Sequence, residues 1–205
     1  MQIQLTNTGK RYNRDWIFRH CNYTFHVGKS YAIIGPNGSG KSTLLQTIAG
    51  AINPSEGQVF FSVNDQRLAV DDTYKYISLA APYLEVIEEM TAMEFLNFHA
   101  DFKPLLPSIT IAEMIAVIGL QQNAAKQIRY YSSGMKQRIK LAQAIFSDTP
   151  ILLLDEPCTN LDISGYRLYQ QLITTYCSHK LIIVSSNDPQ EYGFCQEQIL
   201  IGDYK

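Results

Sequence analysis

The chain has 205 residues, of which 46% are hydrophobic and 18% are charged, and its formal net charge at pH 7 is -2. This composition excludes an intrinsically disordered chain, and the lack of excess positive charge argues against a protein that works on nucleic acid phosphates. No apolar run reaches the ~18 residues that a membrane-spanning helix needs, and the N-terminus lacks the apolar core of a signal peptide. We therefore expect a single domain over residues 1–205 with a packed hydrophobic core.

The first 80 residues are predicted to be mostly strands and turns around one helix. Apolar and β-branched segments between glycine or asparagine turns are typical of strands. The predicted strands in this part are residues 1–8, 22–27, 30–35, 58–63 and 74–80. The one helix is predicted at 41–50, and a turn is predicted at 64–66.

The second part of the chain is predicted to be richer in helices. Thr91 followed by Glu94, and Thr110 followed by Glu113, have the spacing of a capping box, so we expect a helix to begin after each threonine. Further on, apolar strands alternate with helices, which predicts a parallel sheet with helices on both faces. The predicted elements there are helices at 132–146 and 164–177 and strands at 151–156, 180–188 and 197–203.

Residues 35–42 fit the phosphate-binding loop pattern G-x-x-x-x-G-K-[ST] between a predicted strand and a predicted helix, which is the context that this pattern requires. Glycines let backbone N–H groups turn toward a polyphosphate, Lys41 would reach the β- and γ-phosphates, and the hydroxyl of Ser42 would bind Mg²⁺. The alternative is a glycine-rich turn that caps a core helix. The predicted ligand is a nucleoside triphosphate with Mg²⁺, and the predicted binding residues are Gly35, Pro36, Asn37, Gly38, Ser39, Gly40, Lys41, Ser42 and Thr43.

Two carboxylates, Asp155 and Glu156, end the apolar strand "ILLLDE". Parallel strands deliver their C-terminal residues to the ligand crevice of such a sheet. We therefore predict that Asp155 holds Mg²⁺ and that Glu156 orients or deprotonates the water that attacks the γ-phosphate. The alternative is two ordinary carboxylates that cap the turn before Pro157.

Taken together, the phosphate loop, the segment "YYSSGMKQR" at 130–138 and the strand "ILLLDE" resemble the ATP-binding subunit of an ABC transporter. The resemblance extends from about Lys10 to the end of the chain. It implies an α/β fold, with a P-loop NTPase core built on a mostly parallel sheet, an N-terminal antiparallel β subdomain and an inserted helical subdomain at about 83–146. It also implies that the nucleotide is ATP.

The resemblance extends to further candidate residues. Tyr12 would stack on adenine, with plain core packing as the alternative. The signature residues would contact ATP bound to a second ATP-binding subunit in a head-to-tail homodimer or heterodimer, and the alternative role of Ser132 is a simple helix cap. These signature residues are Ser132, Ser133 and Gly134, and residues 159–162 resemble the D-loop of the family.

Three positions depart from the family pattern. Met135 replaces the glutamine of the signature, and Pro82, or Ala81 if the loop differs by one residue, stands where the Q-loop glutamine is expected. Asn187 stands in place of the switch histidine, so this candidate catalytic residue can donate a hydrogen bond but cannot carry a proton. We expect ATP binding to survive these changes better than hydrolysis.

The function that the resemblance implies is an ATP-binding and ATP-hydrolysing subunit that powers transport by ATP-driven dimer closure. Its partner would be an integral membrane permease that docks near residues 82–100 and holds the subunit at the cytoplasmic face of the membrane. One alternative is a nucleotide-switched binding module with little hydrolysis. Another is a soluble ABC ATPase that is not coupled to transport, and no nucleic acid partner is expected.

Overall fold

A computed structural model describes residues 1–64 and 66–205 of the chain. The turn predicted at 64–66 includes Asp65, which lies outside the described residues. The described residues divide into two compact units. The first contains Met1–Leu79, Pro150–Glu156 and His179–Lys205, and the second contains Ala80–Thr149 and Pro157–Ser178.

The strands form two sheets. The strands among the described residues are β1 (Gln2–Tyr12), β2 (Asp15–His26), β3 (Ser30–Ile34), β4 (Glu56–Val63), β5 (Gln66–Arg67), β6 (Ile77–Ala80), β7 (Ile151–Asp155), β8 (Leu181–Ser185) and β9 (Glu197–Leu200). One sheet has the order β2-β1-β4-β5, and β1 is antiparallel to both of its neighbours. The other has the order β6-β7-β8-β3-β9. In it β3 is parallel to both of its neighbours, β8 and β9, and β7 is parallel to β8. The predicted α/β fold, with its antiparallel and mostly parallel sheets, is therefore confirmed.

Six α-helices accompany these sheets in the described residues. They are α1 (Lys41–Ile48), α2 (Ala92–Phe102), α3 (Ile111–Val117), α4 (Ser133–Ile145), α5 (Ile163–Tyr176) and α6 (Pro189–Tyr192). Both predicted capping boxes are confirmed: the hydroxyl of the N-cap threonine accepts from the N–H of the glutamate at N3 in α2 and in α3. None of these helices is long and apolar enough to cross a membrane.

The parallel sheet shares the hydrophobic core of the first unit with the antiparallel sheet and α1, and it sets the position of the candidate site. Strands β7 and β8 are buried at every residue, which explains why their sequences are continuous apolar runs rather than alternating ones. Asp155 and Ser185 pair at the ends of these two strands. Because β3 runs parallel to β8, the C-terminal ends of all three strands lie at one edge of the sheet.

The strand predicted at 74–80 is wrong in its first half. A 3-10 helix covers Val70–Tyr76, and β6 begins only at Ile77. Local bonds explain the difference, because the hydroxyl of Thr73 donates to the carbonyl of Val70 over 2.8 Å. Asp72 and Lys75 also form an ion pair of 2.6 Å across one helical turn.

The helical subdomain predicted at about 83–146 lies within the second unit. That unit also contains α5, which sequence reasoning did not group with it. Packing of side chains accounts for this grouping: the rings of Phe146 and Tyr176 meet edge to face with centroids 4.9 Å apart. Arg138 of α4 also donates to the hydroxyl of Ser164 in α5 over 3.2 Å.

Candidate functional site

The predicted phosphate loop connects β3 to α1, and its glycines have backbone conformations that other residues avoid. Gly35, Gly38 and Gly40 have φ angles of 155°, 74° and 102°, all in the positive region that favours glycine. A Cβ atom at Gly40 would lie 2.4 Å from Cγ2 of Ile17, and one at Gly35 would lie 2.6 Å from Cγ2 of Ile201. Both positions therefore require glycine for space as well as for conformation.

This loop lines a cavity of about 230 Å³ in the first unit. Seven of the nine predicted loop residues contribute to its wall, together with one predicted catalytic residue and one residue that sequence reasoning missed. The lining residues are Ile17, Asn37, Gly38, Ser39, Gly40, Lys41, Ser42, Thr43 and Glu156.

Lys41 holds its positive charge inside the loop. The side chain is buried, and Nζ donates to the carbonyl oxygens of Gly35 at 2.9 Å and of Pro36 at 3.2 Å. An ammonium group has three donors, so these bonds leave one donor for a ligand. The N–H of Ser39 also donates to the carbonyl of Pro36, over 3.1 Å, and closes the turn.

Asp155 is a buried carboxylate at the C-terminal end of β7, only 2% exposed. Burial raises its pKa, and the nearby Ser185, Ser42 and Lys41 partly oppose this effect. Its Oδ1 atom has no hydrogen-bond partner among the described residues. A buried carboxylate oxygen in this condition is costly unless a ligand or an ion completes its environment.

The predicted Mg²⁺ and polyphosphate both fit the residues that are present. Carboxylate and hydroxyl oxygens are the ligands that Mg²⁺ prefers, and Asp155 and Ser42 supply one of each. Around Gly38 the space is open, because a Cβ atom there would meet nothing within 4 Å. The start of α1 at Lys41 adds the partial positive charge of a helix N-terminus.

Glu156 follows β7 and reaches the same cavity. Its φ angle of 41° is in the left-handed region, which a glutamate seldom adopts. Its backbone N–H donates to the carbonyl of Ser185 over 2.9 Å, which fixes the residue at the end of the adjacent strand. The structure therefore places this predicted catalytic residue on the wall of the cavity.

Neither Asn187 nor Tyr12 is among the residues that line the cavity, but Asn187 contacts a residue that does. The side chain of Asn187 donates to that of Asn37 over 2.9 Å. Tyr12 is 49% exposed, so core packing, the alternative role for this ring, is wrong. The ammonium of Lys10 lies 5.3 Å from the centroid of the Tyr12 ring. Ile17 had no signal in the sequence, because it is one apolar residue of a strand and only the fold brings it to the loop.

The signature residues begin α4 in the second unit. Ser132 is the N-cap, and its hydroxyl accepts from the N–H of Met135 over 3.3 Å, which confirms the capping role. A Cβ atom at Gly134 would lie 3.0 Å from the carbonyl oxygen of Asn160. A cavity of about 380 Å³ lies here, lined by Gly119, Leu120, Asn123, Ser132, Ser133, Gly134, Met135, Arg138, Asn160, Leu161 and Asp162. Contact of these residues with a nucleotide stays a prediction.

The segment at the expected Q-loop position is tied to α4. The carbonyl of Pro82 accepts from Nζ of Lys140 over 3.0 Å, and Glu88 forms an ion pair with Lys136 of the same helix. These contacts all lie within the second unit. The segment therefore has a defined conformation without the glutamine.

Comparisons with known families and sequences point to ATP-binding proteins of ABC transporters. A family model described as ABC transporter matches residues 18–159. An uncharacterized ABC transporter ATP-binding protein, YybJ of Bacillus subtilis (strain 168), is 30% identical over 83% of this chain and 78% of its own length. The cytochrome c biogenesis ATP-binding export protein CcmA of Xylella fastidiosa (strain Temecula1 / ATCC 700964) is 32% identical over 74% of this chain and 71% of its own length. Two other relatives are longer, and the chain spans 51% and 61% of them.

A solved structure agrees with the fold. The ATP-binding cassette MJ0796, in a dimeric post-hydrolysis state bound to ADP and Pi, matches with a TM-score of 0.81 and 24% identity. The match covers 98% of this chain and 95% of that one. At this identity the likeness shows a shared fold.

Proposed function

The chain belongs to the ABC transporter family, and from that premise we propose that it is the ATP-binding and ATP-hydrolysing subunit of an ABC transporter. One observation carries this proposal. A single cavity is lined by the glycine loop, by the buried ammonium of Lys41 and by Glu156, next to the buried carboxylate of Asp155. These are the groups that phosphoryl transfer requires, because it depends on positioning and on charge stabilisation.

In this proposal different groups of the site bind different parts of Mg-ATP. The backbone N–H groups of the loop and the first turn of α1 donate to phosphate oxygens, and Lys41 donates to the β- and γ-phosphates. Ser42 and Asp155 hold Mg²⁺, which neutralises the charge that develops on the phosphates. Tyr12 stacks on the adenine ring, since its ring is exposed and lies at the end of β1.

The proposed chemistry of hydrolysis is that Glu156 orients or deprotonates the attacking water, while Asn187 donates to a γ-phosphate oxygen. The residue at the Q-loop position is proposed to be Pro82, which offers no side-chain amide. Water is then positioned by fewer groups, so we expect slow turnover in the isolated subunit. Proton transfer by a positioned side chain contributes roughly 10²–10⁴-fold to such rates.

We also propose that two ATP-binding subunits close around ATP and that an integral membrane permease docks on the second unit, at the cytoplasmic face of the membrane. The dimeric state of the cassette MJ0796 supports the first part. Exposed apolar side chains support the second, because five of the twelve large hydrophobic residues that are exposed among the described residues lie within 83–102. They are Tyr83, Ile87, Met93, Phe98 and Phe102.

A second candidate function is a nucleotide-switched binding module that closes on ATP and hydrolyses it very slowly. Pro82 and Asn187 favour this function, since neither supplies the group that the family pattern has there. Glu156 opposes it, because this glutamate is among the residues that line the cavity. Both candidates require the same nucleotide site, so the first experiment tests that site.

The experiment is an equilibrium titration of the protein with ATP in the presence of Mg²⁺. Lys41→Ala removes a charge-assisted bond to phosphate and should weaken binding by on the order of 2 kcal/mol, or about 30-fold in Kd. Lys126→Ala removes an equal charge from an exposed lysine outside the cavity and should leave Kd unchanged. Equal affinity of the parent and Lys41→Ala would contradict the assignment of the phosphate loop.

A further inference from the structure

A hydrogen bond joins the phosphate loop to the segment that follows β8. Nδ2 of Asn187 donates to Oδ1 of Asn37 over 2.9 Å. Both residues belong to the first unit, and Asn37 lines its cavity. The bond therefore connects a residue for which we predicted a role in nucleotide binding to one for which we predicted a role in catalysis.

Both ends of this bond are attached to a backbone that other bonds hold in place. After β8, the N–H of Ser186 donates to the carbonyl of Ile33 over 3.2 Å, and the N–H of Asp188 donates to the hydroxyl of Ser186 over 2.9 Å. In the loop, the N–H of Ser39 donates to the carbonyl of Pro36 over 3.1 Å. The two short amide side chains face each other because their backbones are fixed on either side.

The direction of the bond matters for an anionic ligand. A primary amide has one end that donates and one end that accepts hydrogen bonds. Because Oδ1 of Asn37 accepts, it holds the NH₂ end of Asn187 toward the loop, and this group has a second N–H. Phosphate oxygens only accept, so the opposite orientation would turn the carbonyl oxygen of Asn187 toward the phosphate and repel it.

We propose that Asn37 is a positioning residue that orients the Asn187 amide, so that its second N–H meets the terminal phosphate of bound ATP. This inference rests on the proposed function, because it takes the loop to be the ATP site. The pair then favours ATP over ADP. It does so without a protonation step, because neither amide titrates near neutral pH, in contrast to a histidine at the same position.

A double-mutant cycle tests this proposal by measuring the Kd for Mg-ADP and Mg-ATP in the parent, Asn37→Ala, Asn187→Ala and the double variant. The readout is the ratio of the two Kd values, which uniform damage to the site does not change. Each single substitution should lower the preference for ATP by about tenfold, since the lost bond is to a charged group. The double variant should lose no more than either single variant, because both remove the same contact.

Two controls keep the result interpretable. Asn97→Ala removes an amide that, among the described residues, bonds only to the carbonyl of Met93 in its own helix, and it should leave the ratio unchanged. Retained ADP affinity shows that each variant is folded. The proposal is overturned if Asn37→Ala weakens ATP and ADP equally, if Asn187→Ala has no effect, or if the two losses multiply. A parent that binds no ATP would instead contradict the proposed function itself.

Discussion

At Glu156, the backbone conformation and the predicted function are linked. A φ of 41° is unfavourable for a residue with a Cβ atom, and such conformations cost of order 1–3 kcal/mol. The bond from its N–H to the carbonyl of Ser185 holds it there, directly after a fully buried strand. Glu156 therefore lines the cavity in a backbone conformation that lowers the stability of the protein.

Because of this strain, we expect the glycine variant at this position to be more stable than the alanine variant, which reverses the usual order. Glycine accepts positive φ without strain, so Glu156→Gly should have a free energy of unfolding about 1 kcal/mol higher than Glu156→Ala. Both variants should lose the release of phosphate from ATP, since both lack the carboxylate. Urea unfolding curves and a steady-state phosphate assay measure the two effects.

The matched control is Glu89, an exposed glutamate whose backbone φ angle is not positive. There the usual order should hold, with the glycine variant less stable than the alanine variant. A Glu156→Gly variant that is also less stable than Glu156→Ala would show that the backbone conformation carries no strain.

The sequence predicted some residues of the site and not others, for a physical reason. Lys41, Asp155 and Glu156 follow from fixed spacings within one loop and one strand, so a local pattern is enough to find them. The bond between Asn187 and Asn37 joins residues 150 positions apart. Like the approach of Ile17 to the loop, it depends on tertiary packing that no local pattern describes.

At the scale of elements, the two capping boxes show how short-range bonds define where a helix begins. The N–H of Thr110 donates to Glu113 over 2.7 Å, and the N–H of Glu113 donates back to the hydroxyl of Thr110 over 3.3 Å. These bonds satisfy two backbone donors that the first turn of a helix otherwise leaves open. The Thr110 hydroxyl and N–H also lower the pKa of the Glu113 carboxyl.

Thr110→Ala should therefore lower the free energy of unfolding by about 1 kcal/mol, because it removes the side-chain acceptor of the cap. Thr110→Ser keeps that acceptor and should stay within a few tenths of a kcal/mol of the parent. Urea unfolding monitored by far-ultraviolet circular dichroism measures both. If alanine and serine are equally tolerated, the cap does not contribute to the stability of α3.

Elements were predictable where a local signal was unambiguous. Continuous apolar runs predicted β7 and β8, and the spacing from threonine to glutamate predicted where α2 and α3 begin. The strand predicted at 74–80 was wrong in its first half because alternating tyrosines have the period-2 pattern of a strand. The acidic residues before them favour a helical turn instead. The place of α5 in the second unit depends on packing against α4, which no periodicity reveals.

At the scale of the whole molecule, the candidate groups are divided between the two units. The phosphate loop, Asp155 and Glu156 belong to the first, and the signature residues Ser132 to Gly134 belong to the second. Each unit therefore carries one of the two groups of residues for which we predicted contact with a nucleotide. We propose that the signature residues contact ATP bound by another copy of this chain, which makes assembly a consequence of ATP binding.

Light scattering on Glu156→Gln, with and without Mg-ATP, tests whether ATP brings two copies of this chain together. The glutamine keeps the shape of the side chain but removes the carboxylate, so bound ATP should not be consumed. We predict the mass of one chain without nucleotide and of two chains with Mg-ATP. Adding Lys41→Ala to this variant should return the mass to one chain. The mass of one chain in both conditions would contradict the claim that ATP closes two copies of this subunit around the nucleotide.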